Sequence, residues 1–64
     1  MARGYYRQLT KLLEANGFDL AVQAKGSHQK WRNDDGLEVI VPNPCKSRHT
    51  ANGILKSAGI VEKL

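Results

Sequence analysis

Two histidines are the side chains of this 64-residue chain best suited to proton transfer at neutral pH. His28 follows the turn-forming tripeptide Lys25–Gly26–Ser27, and no residue between 23 and 33 is acidic. The nearby Lys30 and Arg32 could hold a phosphodiester against the imidazole while it acts as a general base. His28 is therefore a candidate catalytic residue. From these residues alone, an ordinary exposed strand residue is the more common explanation.

Three other residues with reactive side chains are less well placed for chemistry. His49 stands beside Lys46 and Arg48 at an expected helix start, where a solvated first-turn residue is the alternative. Ser27 would need an adjacent base and an oxyanion hole to act as a nucleophile, so we interpret it as a turn residue. Cys45 is the single cysteine and therefore has no partner for an internal disulfide.

The acidic residues do not follow a metal-binding pattern. Asp34, Asp35 and Glu38 cluster around an expected hairpin turn, and turn chemistry accounts for them. No spacing of His, Cys, Asp or Glu resembles a metal-ligand motif, and no second thiol is present for a zinc site. We therefore expect no metal and no cofactor.

The charge balance favours a polyanionic partner. Ten Lys and Arg residues against six Asp and Glu give a formal net charge of +4. Arg3, Arg7 and Lys11 recur every fourth residue at the start of the first predicted helix, where cations oppose the helix macrodipole. A solvated helix face is one explanation, and a track for an RNA backbone is the other.

Length and hydropathy exclude several classes of protein. Sixty-four residues allow one small domain, 1–64, with one layer of helices on a small sheet. The longest apolar run is Val39–Ile40–Val41, far below the roughly 20 residues of a membrane span, and no apolar signal segment opens the chain. Because a small secreted domain without disulfides would be unusual, we expect a cytoplasmic protein that does not bind a membrane.

The first predicted helix extends from Arg3 to Asn16. Its apolar residues recur at helical spacing and form one stripe: Tyr5, Leu9, Leu12 and Leu13. Gly17 is expected to end the helix in a left-handed conformation, with Phe18 packing back against the last turn as in a Schellman motif.

The second predicted helix follows Ser47 or Thr50, either of which can cap it. Its inward stripe is Ala51, Ile54, Leu55 and Ala58. The helix is expected to end at Gly59 and Ile60 by the same device as the first. Gly53 in its interior costs about 1 kcal/mol relative to alanine.

Between the helices the apolar period is two, which predicts three strands. The first strand has an expected inward face of Phe18, Leu20, Val22 and Ala24. The second, from His28 to Asn33, separates Gln29, Trp31 and Asn33 from a polar face of His28, Lys30 and Arg32. A hairpin at Asn33–Asp34–Asp35–Gly36 leads to the third, whose inward residues Leu37, Val39 and Val41 precede Pro42.

These elements predict an α+β fold in the order α-β-β-β-α. Tight hairpins make a three-stranded antiparallel sheet, and the two amphipathic helices must cover its one apolar face. The other face stays open and carries His28, while Trp31 faces the helices as a core residue rather than as a platform for base stacking. This topology resembles that of the double-stranded RNA-binding domain.

The segment Gly26–Ser27–His28–Gln29–Lys30–Trp31 resembles the Gly-Ser-His signature of the HicA toxins, a family of small bacterial mRNA interferases. The resemblance extends over essentially the whole chain. It includes the Leu-x-x-x-Gly-Phe pattern of 13–18, the strand 39–42 and the closing helix with Ala58–Gly59–Ile60. Many members carry a histidine soon after the strand-ending proline, whereas here Pro42 is followed by Asn43–Pro44–Cys45.

The resemblance implies an endoribonuclease that cleaves mRNA without a metal, uses His28 as its catalytic residue, and is neutralised by a HicB-type antitoxin. The expected RNA-binding residues are Lys25, Gly26, Ser27, Lys30, Arg32, Lys46, Arg48, Arg3, Arg7 and Lys11. Two alternatives remain open at this point. One is a non-catalytic RNA-binding module of the same fold. The other is an interaction protein whose basic face meets an acidic protein.

Overall fold

The predicted order of elements, α-β-β-β-α, is confirmed by the structure. A computed structural model describes residues 4–23, 26 and 28–64. Its elements are α1 (Tyr6–Ala15), β1 (Asp19–Gln23), β2 (His28–Arg32), β3 (Glu38–Pro42) and α2 (Arg48–Ser57). Within this part of the chain, no helix has the length and apolar character needed to cross a bilayer.

The sheet is an antiparallel meander in the order β1-β2-β3, with β2 in the centre. Gln29 and Trp31 of β2 are buried, whereas His28, Lys30 and Arg32 are exposed. The buried face packs against both helices in one core, whose members include Leu9, Leu13, Trp31, Val39, Val41, Ala51 and Leu55. The predicted two-faced sheet, with Trp31 in the core, is therefore confirmed.

Both helices end in the predicted Schellman geometry. Gly17 has φ of +87°, and the Phe18 amide donates to the Leu13 carbonyl at 2.9 Å. The same bond joins Ile60 to Leu55 at 2.9 Å after Gly59, whose φ is +75°. Positive φ at these positions favours glycine, which has no Cβ to clash with the preceding carbonyl.

The observed start of α1 differs from the prediction, and the observed start of α2 decides between the two predicted caps. Helix α1 begins at Tyr6 rather than at Arg3, which lies outside the described residues. Of the two proposed caps for α2, Ser47 is the N-cap, and its Oγ accepts a hydrogen bond from the Thr50 amide at 3.2 Å. The predicted stripe of α2 is correct, because Ala51, Leu55 and Ala58 are buried and Ile54 packs against them.

The prediction of an inward apolar face along the first strand is wrong for most of its length. Phe18 is buried, but Leu20 and Val22 are 47% and 43% exposed, and Ala24 lies outside the described residues. Leu20 pairs with the buried Trp31, and its exposure follows from its place on the edge strand of the sheet. For Val22 the cause is a register shift after Leu20, because Val22 pairs with the exposed Lys30. Because directly paired residues share a face, the bulge turns Val22 onto the open face.

Leu37 was expected on the inward face of the third strand and is instead 42% exposed. It belongs to the hairpin turn, where its amide donates to Asn33 Oδ1 at 2.9 Å and its carbonyl accepts from the Asn33 amide at 3.0 Å. The predicted hairpin itself is confirmed, with Gly36 at φ of +86°. Strand β3 therefore starts one residue later, and its inward residues are Val39 and Val41.

Candidate functional site

His28 is the first residue of β2 and is exposed on the open face of the sheet, as predicted. Its pairing partner is Pro42, the last residue of β3. The next residue on the same face is Lys30, which pairs with Ile40. The His28 imidazole is therefore accessible to a substrate. Removing this side chain would take no packing from the core.

The residue after His28 anchors the strand from the buried side. Gln29 Oε1 accepts hydrogen bonds from the Tyr6 hydroxyl at 2.8 Å and from Trp31 Nε1 at 3.0 Å. Gln29 Nε2 donates to Gln23 Oε1 at 3.0 Å. One buried amide thus joins α1, β1 and β2 directly behind His28. Because buried polar groups are costly when unpaired, this network specifies one position for the start of β2.

The network was not predicted from the sequence, although strand alternation did place Gln29 on the same face as Trp31. A glutamine at an inward position beside a tryptophan was the available signal. Its partners Tyr6 and Gln23 lie on other elements, and the sequence around them does not indicate that they bind Gln29.

The loop from β3 to α2 brings a second set of cations to the same end of the fold. Cys45 in this loop is buried, and its carbonyl accepts from the Tyr5 amide at the start of α1. Gly4, at φ of +78°, lies so close to this carbonyl that a Cβ would overlap it. The start of α1, the loop carrying Lys46 and the start of α2 therefore lie together, beside the end of β3 that pairs with His28.

Charge is distributed unevenly between the two ends of the domain, although Arg32 and Lys56 lie at the end that carries most of the carboxylates. One end, the cationic end, comprises the starts of both helices, the start of β2 and the β3–α2 loop; its members are Arg7, His28, Lys46, Arg48 and His49. The opposite end carries Glu14, Asp19, Asp34, Asp35 and Glu38. Neither helix has an acidic residue in its first turn. The positive ends of both macrodipoles add to the cationic end, which is thus suited to a polyanion.

Arg32 belongs to the acidic end of the sheet and is paired there. Its guanidinium contacts the Glu38 carboxylate directly across the β2–β3 ladder, at exposed positions. The hydrogen bond from Arg32 holds the pKa of Glu38 below its ordinary value. Because Glu38 offsets the charge of Arg32, we expect Arg32 to attract a phosphate less strongly than Lys30 does.

The predicted RNA-binding residues do not all share one surface. Lys30 lies on the open face with His28, whereas Arg7 and Lys11 are exposed on α1, which covers the opposite face. Arg7 is in the first turn, at the cationic end, while Lys11 lies further along the helix. Lys46 and Arg48 are exposed at the cationic end.

The turn before His28 is described only at Gly26, whose φ of +72° agrees with the predicted turn. Lys25, Ser27 and Arg3 lie outside the described residues. His49, the second residue of α2, is exposed. In the described part of the chain, no three His, Cys, Asp or Glu side chains form a group that could hold a metal ion.

The comparisons with known proteins give one match. No curated protein and no solved structure matches the chain significantly. The family model described as the HicA toxin of bacterial toxin-antitoxin systems matches residues 6–60, from the first residue of α1 to the end of the second Schellman motif. Since this match covers most of the 64 residues, and the fold and the Gly-Ser-His segment agree with the earlier resemblance, the chain belongs to the HicA toxin family.

Proposed function

We propose that this toxin is an endoribonuclease that cleaves mRNA, with His28 as the catalytic residue and no metal in the reaction. The observation that carries the proposal is the placement of the exposed His28 imidazole at the cationic end of the fold, on a strand that Gln29 fixes from the buried side. A rigid strand is a better support for a catalytic group than a loop, because it holds the group in one geometry.

The proposed reaction is an internal transfer at the phosphodiester. The 2′-oxygen of the ribose attacks the adjacent phosphorus, its proton passes to His28, and the bond from phosphorus to the 5′-oxygen breaks. The phosphorane carries negative charge, which nearby cations offset. The ammonium groups of Lys30 and Lys46 are the proposed cations. The leaving 5′-oxygen takes a proton from an acid, either water or a second side chain of the site.

The binding part of the proposal follows from charge. Lys46, Arg48 and Arg7 surround the start of both helices, so an RNA backbone that contacts the cationic end passes beside His28. Lys25, Gly26 and Ser27 are proposed as further RNA contacts because they directly precede His28 in the chain. Arg3 and Lys11 are proposed because their spacing with Arg7 predicts one basic track. The proposed site of action is the cytoplasm, and the proposed partner is a HicB-type antitoxin, as membership of the family implies.

The test is cleavage of a defined RNA by purified wild type and His28→Ala in the presence of a chelator. The substitution removes an exposed side chain, so the thermal midpoint should stay close to that of the wild type, since such changes usually lie within about 0.5 kcal/mol. Cleavage should fall by about 10²–10⁴-fold, the usual contribution of proton transfer. A folded His28→Ala protein that cuts RNA at the wild-type rate would contradict the assignment of His28.

The main alternative is a non-catalytic RNA-binding module of the same fold. It predicts that the wild type binds RNA in a salt-dependent manner without cutting it, with or without added divalent metal. The absence of both binding and cleavage would favour a third class, an interaction protein whose basic end meets an acidic protein. The same cleavage and binding measurements on the wild type distinguish the three.

A further inference from the structure

A groove runs along the exposed side of α2, and its lining contains no residue of the open sheet face that carries His28. One wall and the floor belong to the helix, and the other wall is the segment that follows it. We call it the α2 groove; its lining is His49, Asn52, Gly53, Lys56 and residues 59–63, and its volume is about 610 Å³.

The outer wall of the α2 groove is held in place. The Leu64 amide donates to Asn52 Oδ1 at 2.7 Å, and Asn52 Nδ2 donates to the Leu64 carbonyl at 3.3 Å. At the other end of the wall, Ile60 is buried in the core. The segment between them is thus tied to α2 at both ends, so a partner meets a preformed groove and has little to order on binding.

Gly53 forms part of the floor, and nothing in the fold requires a glycine there. It lies inside α2 without a positive φ, and apart from the adjoining helix backbone no atom lies within 4 Å of the place where a Cβ would stand. Glycine is a poorer helix former than alanine, so this position makes α2 less stable than it could be. Bare backbone at an exposed position allows another molecule to approach the helix closely.

The surroundings of the groove indicate the chemistry of that molecule. Lys56, Lys63 and His49 stand around it with one carboxylate, Glu62, and no carboxylate among the described residues pairs with either lysine. Val61 beside them is 88% exposed. No aromatic ring lines the groove, so it lacks the stacking platform on which single-stranded nucleic acids are usually held. An apolar side chain flanked by carboxylates is the complement of this surface.

We infer that the α2 groove is a docking site for an acidic, apolar segment of the antitoxin. The inference rests on the proposed function only for the identity of the partner. The groove contains no residue of the open face, so this contact holds the antitoxin on the toxin without itself covering His28. Gly53 lets the segment lie against the helix backbone, Val61 meets its apolar side chain, and Lys56 and Lys63 meet its carboxylates.

The test measures the affinity of the full-length toxin for the HicB-type antitoxin of the same locus. Gly53→Gln adds bulk to the floor and should raise the Kd about tenfold or more, a change of about 1.4 kcal/mol per factor of ten. The thermal midpoint of the free toxin should not fall, because glutamine favours a helix more than glycine does. Lys56→Glu should also raise the Kd, and Glu62→Gln should lower it or leave it unchanged.

Ala15→Gln is the matched control, since it adds similar bulk at an exposed position on the other helix. It should leave the Kd within twofold of the wild type. The inference is overturned if Gly53→Gln and Lys56→Glu, with their thermal midpoints retained, bind the antitoxin as the wild type does. It is also overturned if they weaken RNA binding instead, or if the wild type does not bind the antitoxin.

RNA cleavage by the free proteins separates this inference from the proposed function. A wild type that binds the antitoxin through the groove but cuts no RNA would remove the proposed activity and leave the docking site standing. If the toxin cuts RNA but its groove variants bind the antitoxin normally, the proposed activity stands and the docking site is overturned.

Discussion

The Tyr6 hydroxyl donates a 2.8 Å hydrogen bond to Gln29 Oε1 and so joins the first turn of α1 to the residue next to His28. The two residues are far apart in the chain, and their hydrogen bond joins two of the elements that start at the cationic end of the fold. Helix α1 and the start of β2 are therefore coupled through a single buried amide, and changes on one should be felt at the other.

Tyr6→Phe removes this donor and leaves the ring in place. We expect a loss of about 1 kcal/mol in the free energy of unfolding, since one acceptor on Gln29 loses a partner while Trp31 Nε1 still satisfies it. Denaturant unfolding gives the value. If Gln29 positions His28, cleavage should also fall with little change in RNA affinity.

Tyr5→Phe is the control, because the Tyr5 hydroxyl has no hydrogen bond to another described residue while its ring also packs on the core. It should be close to neutral. Equal losses for the two variants would show that the Tyr6–Gln29 bond has no special importance.

Two apolar residues that pair across the β1–β2 ladder should differ strongly in their effect on stability. Trp31 is buried and should cost roughly 3–5 kcal/mol when changed to alanine. Leu20, its pairing partner, is half-exposed at the sheet edge and should cost well below the usual large-to-small core penalty of about 2 kcal/mol. Thermal or urea unfolding of the two variants checks the contrast, and a Leu20→Ala loss as large as that of Trp31→Ala would mean that β1 is covered in solution.

The division of charge predicts which cations contribute to RNA binding. For single strands, each phosphate neutralised contributes about −0.7 to the slope of log affinity against log salt. Lys46→Ala at the cationic end should flatten that slope by about one contact. Arg32→Gln should flatten it by less, because Glu38 already offsets the arginine.

Affinity measurements at four or five salt concentrations give both slopes. The assignment of the cationic end fails if Arg32→Gln changes the slope more than Lys46→Ala, or if the wild-type profile is flat.

The Arg32–Glu38 pair predicts a specific carboxyl titration. Arg32 lowers the pKa of Glu38, so the pair stabilises the fold at pH values above the ordinary carboxyl pKa. That contribution is lost as the pH falls through the lowered value. In Arg32→Gln the pKa of Glu38 should rise towards its ordinary range, which titration of the side-chain carboxyl carbon by NMR can follow. An unchanged Glu38 titration would show that the ion pair does not form in solution.

Local sequence patterns were sufficient to predict the elements and most of their ends. The two Schellman motifs, the Asn33–Gly36 hairpin and the alternation of β2 depend on interactions within a few residues, which the sequence records directly. The exposure of His28 and the burial of Trp31 followed from that alternation. The motif around His28, together with the order of elements, was also enough to place the chain in its family.

Tertiary structure decided what depends on pairing between distant segments. The bulge that turns Val22 onto the open face follows from how β1 meets β2, and a perfect two-residue period along β1 gives no sign of it. The Gln29 network needs Tyr6 and Gln23 from two other elements. The charge division arises because both helices begin at the end of the sheet where β2 starts and β3 stops. The sequence alone determined which side chains could do chemistry, and only the packing of the elements decided which of them share a surface.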